Sequence, residues 1–485
     1  MRIERPSTRR LAFPAVMLAA LSTLGHEAQA AGIVKGPSMR LSGTHTFTFT
    51  PSVAGGTVTW TLDRETISDA GIHTRTNGIA TRVGTTASFS LTAVSGSETI
   101  YSIHAADAGA QDSQTVQVFP ADTKSWFTYH SAGNPDVRVY ITVPSALNAA
   151  TTRVLLAMHG NTRTASSYAD TWRPWAVQQN SIVLCPYYDL VNWPTSDMYQ
   201  MGNVFSGADC DGVKNPPEKW TFTIDVGIHQ QVRDGFGIID PLFDMWGFSG
   251  GGQHVHRFML FMPNAPVRLA IAAGSGWYTV PDPAIDCPYG PDDPLDFTSQ
   301  QILNWTNRNM VIMVGTCDTL RDDELRTTAR SDAQGLNRYE RAGYMMNKAR
   351  AFNPSTRWRR IDVIGAAHES KPMAAGAQGV MLQSVTHVRQ TPPVETARMS
   401  FRVGPNPLAR NSFLWGEGWR DEEVEIDVYD LLGRRVAAGT APVVNGSWRI
   451  AWSKLRDGGG VSSGIYLVRA HDREQRSEKK VVVTE

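Results

Sequence analysis

The chain has 485 residues, of which 41% are hydrophobic and 19% charged, and its 46 basic side chains are balanced by 46 acidic ones. That length exceeds one ordinary domain, and the balance gives no reason to expect nucleic acid or an anionic bilayer as partner. After the N-terminal segment no apolar run reaches the ~20 residues that a membrane-spanning helix needs.

Arg2, Arg5, Arg9 and Arg10 precede an apolar stretch from Leu11 to about Leu24, and Ala28-Gln29-Ala30 supplies a small-x-small cleavage site. Residues 1–30 therefore read as a secretory signal peptide. Residues 31–121 are rich in Thr, Ser, Val and Gly, with alternating runs at 45–50, 58–62, 87–92, 99–104 and 114–119. Period-two patterning without helix signals predicts a β-sandwich. Its strand order resembles the immunoglobulin-like modules of bacterial secreted proteins, which implies a spacer or assembly domain, with polymer or carbohydrate binding as the alternative.

Over 122–392 the texture changes. Short apolar runs at 137–143, 154–158, 182–185, 243–246, 269–273, 310–314 and 360–364 are separated by candidate helices. Continuous rather than alternating hydrophobicity suits strands covered on both faces, so a mostly parallel sheet flanked by helices is expected. Reactive groups should then gather at the carboxyl ends of its strands.

Three motifs fall at such ends. Gly247-Phe-Ser249-Gly-Gly251 follows one run and precedes a candidate helix of about three turns at 253–262, the strand, turn and helix order that lifts a nucleophilic serine above a sheet edge. His159-Gly160-Asn161 follows another run. The amides of Asn161 and Gly250 are thereby candidates for an oxyanion hole, whose donors act on charge that develops only on the way to the tetrahedral intermediate. Asp318, after the run at 310–314, is placed to orient a histidine, with Asp322 and Asp323 close enough to compete, and His368 ends the last run in a small-residue loop. The order Ser249, Asp318, His368 is that of serine hydrolases built on such a sheet.

Together with Leu156-Ala-Met-His-Gly160, the turn continuing through Gln253-His-Val-His-Arg-Phe258, Gly274-Ser-Gly-Trp-Tyr-Thr279, Pro288-Tyr-Gly290 and Gln334-Gly-Leu-Asn-Arg338, these motifs resemble extracellular α/β-hydrolases related to polyhydroxybutyrate depolymerases and feruloyl esterases. The resemblance implies acyl transfer through a serine ester. His368 would act as base and Asp318 as its orienting partner, with no metal or organic cofactor. Gly250 stands where depolymerases of this kind often carry Ala, which leaves polymer specificity open. His254 and His256, two apart on a helix, point to different faces and do not make a metal site. Trp277 and Tyr278 are candidate substrate-binding residues, with Tyr187, Tyr188 and Trp193 in similar positions. Four cysteines permit two disulfides. Cys210 and Cys287, in Asp/Gly/Pro-rich loops, are the easier pair, and Cys185 and Cys317 end apolar runs as expected core thiols.

Residues 393–485 contain Pro405-Asn-Pro407, Val428-Tyr-Asp-Leu-Leu-Gly-Arg434, Ser463-Gly-Ile-Tyr-Leu467 and Lys480-Val-Val-Val483. These resemble the C-terminal sorting domain of type IX secretion cargo, or a flagellar-hook-cap immunoglobulin-like fold, and imply secretion machinery as a partner and a secreted or surface-attached product. The expected architecture is a central α/β-hydrolase between two all-β sandwiches. The expected function is ester hydrolysis on small or polymeric substrates. Feruloyl or acetyl esterase and lipase are alternatives within enzymes, and a non-catalytic surface adhesin is the alternative outside them.

Overall fold

The structure, a computed structural model, describes residues 31–386, 400–404, 412–417, 419, 422–430, 434–443, 447–455, 461–472 and 476–483. Residues 1–30, read above as a signal peptide, the expected boundary near 393 and the Pro405-Asn406-Pro407 stretch lie outside them.

Eight strands build the central sheet: β1 (Lys124–Tyr129), β2 (Val137–Thr142), β3 (Arg153–Met158), β4 (Ser181–Tyr187), β5 (Phe243–Phe248), β6 (Val267–Ala273), β7 (Met310–Gly315) and β8 (Arg359–Val363). Their spatial order is β8-β7-β6-β5-β3-β4-β2-β1. From β4 through β8 every neighbouring pair is parallel, whereas β1 and β2 are antiparallel to each other and β2 to β4. Every residue of β5 and β7 is buried, as expected where helices cover both faces and alternation has no reason to appear. The strand at 124–129, Lys-Ser-Trp-Phe-Thr-Tyr, was not among the predicted runs. It is an edge strand with half-buried polar positions and lacks the apolar continuity of the interior.

Helix α1 (Ala165–Gln178) packs against β4. Helix α2 (Thr221–Phe236) ends at Gly237, whose φ of 68° is the left-handed conformation that stops a helix without a Cβ penalty. Helix α3 (Gly250–Phe261) has all of its residues buried. It begins three residues earlier than the periodicity predicts, because close packing, which glycine alone permits, outweighs glycine's poor helix propensity. A Cβ on Gly247 would meet the Gly251 carbonyl oxygen at 2.2 Å, and one on Gly251 would meet that of Met158 at 2.1 Å. Helices α4 (Arg338–Phe352) and α5 (Ser370–Thr386) flank β7 and β8 in sequence.

The N-terminal residues form two sheets, of three and five strands, around one core containing Phe47, Phe49, Trp60, Phe89 and Tyr101. The strand His73–Val83 is exposed along nearly its whole length, so its composition carries no apolar signal. Residues 31–382 are one compact unit. Across the expected boundary at 121, Met39 and Phe119 belong to the core of the large sheet, with the Phe119 ring 6.1 Å from Phe127 and 5.6 Å from Phe236. The second unit holds sheets of three and four strands around Trp448, Val424, Ile426, Val428 and Val468.

Candidate active site

Ser249 occupies the one-residue bend between β5 and α3 with φ 56° and ψ −117°, a conformation costing a non-glycine residue on the order of 1–3 kcal/mol that persists only when its surroundings impose it. Those surroundings are visible: Ser249 donates its N–H to the Ala273 carbonyl at 2.9 Å, and its own carbonyl accepts from the Gln253 amide at 3.0 Å. The hydroxyl is thereby fixed at the carboxyl edge of the sheet.

His368 Nε2 lies 3.1 Å from Ser249 Oγ, and its Nδ1 lies 2.9 Å from Asp318 Oδ2. A carboxylate only accepts, so Nδ1 carries the proton and the Nε2 lone pair faces the serine hydroxyl. Asp318 is 2% exposed, and its turn is tied to the loop bearing His368: Thr316 donates to the Val363 carbonyl and Cys317 to that of Ala366. The other two acidic residues are elsewhere. Asp322 binds Arg338 through both oxygens, at 2.6 and 2.9 Å, and that pairing holds its carboxyl below the usual range. Asp323 is exposed and lines a neighbouring cavity. Arg338, 1% exposed, also approaches Asp318 Oδ1 at 3.7 Å, so a single guanidinium faces the two carboxylates.

The Gly250 amide is a first-turn donor with no intrahelical acceptor, and a Cβ on Gly250 would sit 3.2 Å from the Asn161 amide nitrogen. The two candidate oxyanion donors therefore converge beside Ser249. Gln200, 3% exposed, hydrogen-bonds the Asn161 side chain and closes one flank. His159 is fully buried beneath this turn. Its Nε2 accepts from the Tyr188 amide at 3.2 Å, which leaves Nδ1 to donate to the Gly160 carbonyl at 2.9 Å. Burial pushes its pKa down to about 3, so it is a neutral brace for the Gly160-Asn161 turn.

His254 and His256 diverge. His256 accepts from the Thr279 amide and faces the Gly252 carbonyl, and burial lowers its pKa well below the ordinary value. His254 lies between the Tyr199 carbonyl at 2.8 Å and Asp225 Oδ2 at 2.6 Å, and Tyr188 donates to the other Asp225 oxygen at 2.7 Å.

The two candidate substrate-binding aromatics separate. Trp277 lines a cavity of about 390 Å³ together with Asn161, Gln200 and Gln253. Tyr278 does not: it is wholly buried, with its backbone amide and carbonyl both held by the Gln334 side chain at 2.9 and 2.7 Å, which turns the chain back into the core. Tyr188 and Trp193 are core residues as well. Cys210 and Cys287 form a disulfide with Cα atoms 6.0 Å apart. Cys185 is buried, but Cys317, expected in the core, is exposed, because β7 ends at Gly315 and the following turn lies at the surface.

Comparison with known proteins adds to this geometry. Poly(aspartic acid) hydrolase-1 from Sphingomonas sp. KT-1 is 30% identical with a TM-score of 0.52, the match covering 54% of this chain and 99% of that one. The chain belongs to the α/β-hydrolase family. A poly(3-hydroxybutyrate) depolymerase from Bordetella parapertussis shares the fold at 22% identity and a TM-score of 0.51, over 56% of this chain and 92% of that one. Residues 402–484 match the secretion system C-terminal sorting domain, so this α/β-hydrolase is secreted or displayed at the cell surface. Curated protein sequences give no match. Among the described residues no helix is long and apolar enough to cross a membrane.

Proposed function

We propose that this hydrolase is a serine carboxylic-ester hydrolase acting through an acyl-enzyme on small or polymeric esters, in the manner of a polyester depolymerase. The observation that carries the reading is the continuous line from Ser249 Oγ through His368 to Asp318, at 3.1 and 2.9 Å. His368 Nε2 takes the hydroxyl proton as Oγ attacks the ester carbonyl carbon, while Asp318 holds the proton on Nδ1 and stabilises the imidazolium. The amides of Asn161 and Gly250 receive the oxyanion. Collapse of the tetrahedral adduct passes the proton from Nε2 to the departing alcohol, and water then repeats the sequence on the acyl-serine.

In this reading residues 1–30 are removed on export, 31–121 is an immunoglobulin-like spacer, 122–392 carries the chemistry, and 393–485 addresses the chain to type IX secretion. A second reading, cleavage of a polyanionic polymer, is favoured by the name of the 30% identical neighbour. Turnover of short p-nitrophenyl esters by the mature protein, abolished in Ser249→Ala with an unchanged circular dichroism spectrum, is the expected result. Undiminished turnover in that variant would remove Ser249 from the mechanism.

A further inference from the structure

The cavity beside Ser249 has a composition that the hydrolase reading does not require. Two of its wall residues, Asn161 and Gln200, also pack against Gly250, so a chain extending from an ester bound at Ser249 enters it. Asp197, Asp209, Asp323 and Glu324 line it, against one basic residue, Arg326. That arginine is already paired, its guanidinium bound to both oxygens of Asp209. Asp323 and Glu324 are exposed and have no cationic partner among the described residues. A further cation, Arg257, sits against the indole of Trp277, 4.0 Å from the ring centroid. Even counted in full it leaves the wall acidic.

A second feature marks the cavity as a place where something binds. Gln253, 7% exposed, is another wall residue. Its Oε1 is engaged by Arg257 Nη1 at 3.4 Å, which aims the amide nitrogen along the wall toward Gly276, where a Cβ would lie 3.1 Å from Nε2. That nitrogen has no acceptor among the described residues. Gln253 is buried as a residue, but this nitrogen opens on the cavity rather than being sealed from solvent, so it is a free donor that an acceptor on a bound chain can take in place of water. Aromatic stacking is a poorer use of the same wall, because Arg257 and Arg326 lie over the Trp277 ring at 4.0 and 4.9 Å.

We infer that this cavity is the chain-binding subsite of the enzyme and that it selects by charge, taking esters whose chain is cationic and bears a hydrogen-bond acceptor, and rejecting polyanionic chains. The inference rests on the ester-hydrolase reading and separates its two substrate classes: an anionic chain here would face two solvated carboxylates that have no cationic partner among the described residues, a repulsion that salt screens.

The test uses the full mature protein and p-nitrophenyl esters of matched length with a trimethylammonium, methyl or carboxylate terminus, each rate divided by that ester's hydroxide-catalysed rate. At low ionic strength kcat/KM should fall from cation to neutral to anion, by at least about tenfold between the ends. The spread should narrow with added salt as the Debye length shrinks from about 30 Å at 0.01 M to about 3 Å at 1 M. In the surface variant Asp323→Asn/Glu324→Gln the cation-to-anion ratio should drop at least threefold. Equal or reversed preference, with the neutral ester turned over, overturns the charge selectivity alone. No turnover of any ester overturns the hydrolase reading and this inference with it.

Discussion

Two of the histidine–aspartate pairs in this unit have a buried aspartate, and they differ in what faces the histidine's other nitrogen. His368 pairs with Asp318 at 2.9 Å and presents Nε2 to Ser249. His254 pairs with Asp225 at 2.6 Å and presents Nδ1 to the carbonyl of Tyr199. A backbone carbonyl can only accept, so the proton between His254 and Tyr199 has nowhere to go. A serine hydroxyl gives up a proton and takes one back. Exposure differs in the same sense: the His368 side chain is 17% exposed while His254 and Asp225 are both sealed at 0%. The same two residue types therefore make a proton shuttle in one place and a structural clamp in the other, holding α3 to α2 beneath the serine.

The comparison breaks most sharply at the shuttle. Ser249→Ala or His368→Ala should lower kcat by about 10⁶, as loss of either member does when the residues act as a unit; a loss of less than a hundredfold would deny them that role. Asp318→Asn should cost about 10⁴ by favouring the wrong imidazole tautomer, and Asp322→Asn far less, because Asp322 serves Arg338. Steady-state kinetics on one neutral ester ranks the two, and the reverse ranking would move the acid of the site.

At the clamp the expected loss is in stability. Asp225→Ala leaves a buried imidazole without its carboxylate and should cost about 3–5 kcal/mol, read as a lower urea midpoint at unchanged m-value. A shift below about 1 kcal/mol would mean that the pair is not holding the helices together.

Acid should loosen the braces as well. Burial depresses the pKa of His159 to about 3, and that of His229, a buried residue of α2 whose ring lies 4.4 Å from that of Phe243, to about 4, below the ordinary value near 6.5. Folding therefore favours their neutral forms. Their contribution is fully present above about pH 6.5 and is lost as the pH falls toward the folded-state values, by roughly 3 kcal/mol for His159 at pH 4. Melting temperatures that stay flat from pH 7 to pH 4 would contradict this. The smallest effect is expected from removing residues 398–485: turnover in vitro should be retained while export from the native host falls, and equal secretion of the truncated chain would leave the sorting match without a role.

Much of this arrangement is legible in the sequence, for identifiable reasons. Runs such as 154–158 and 310–314 stand out because interior strands of a covered sheet must be apolar on both faces. Ser249 stands out because its bend tolerates little but glycine around it. Asp318 and His368 follow from their places after strands. What is not legible depends on contacts between distant loops. Gln200 reaches the site from a separate segment and carries no local signal, and Arg338, though it stands in a stretch that carries the resemblance, gives no sign in the sequence of the two carboxylates it faces. The fate of Tyr278 depends on Gln334, 56 residues away. Asp225 becomes a partner of His254 only when α2 packs on α3, and the edge strand at 124–129 depends on pairing rather than on composition.

The most direct test of the central claim is fluorophosphonate labelling of the folded protein followed by peptide mass mapping, since the probe reports an activated serine without knowledge of the substrate. One adduct per chain, located on Ser249 and lost in His368→Ala, is the predicted result. An unlabelled folded protein, or an adduct on another serine, would contradict the account.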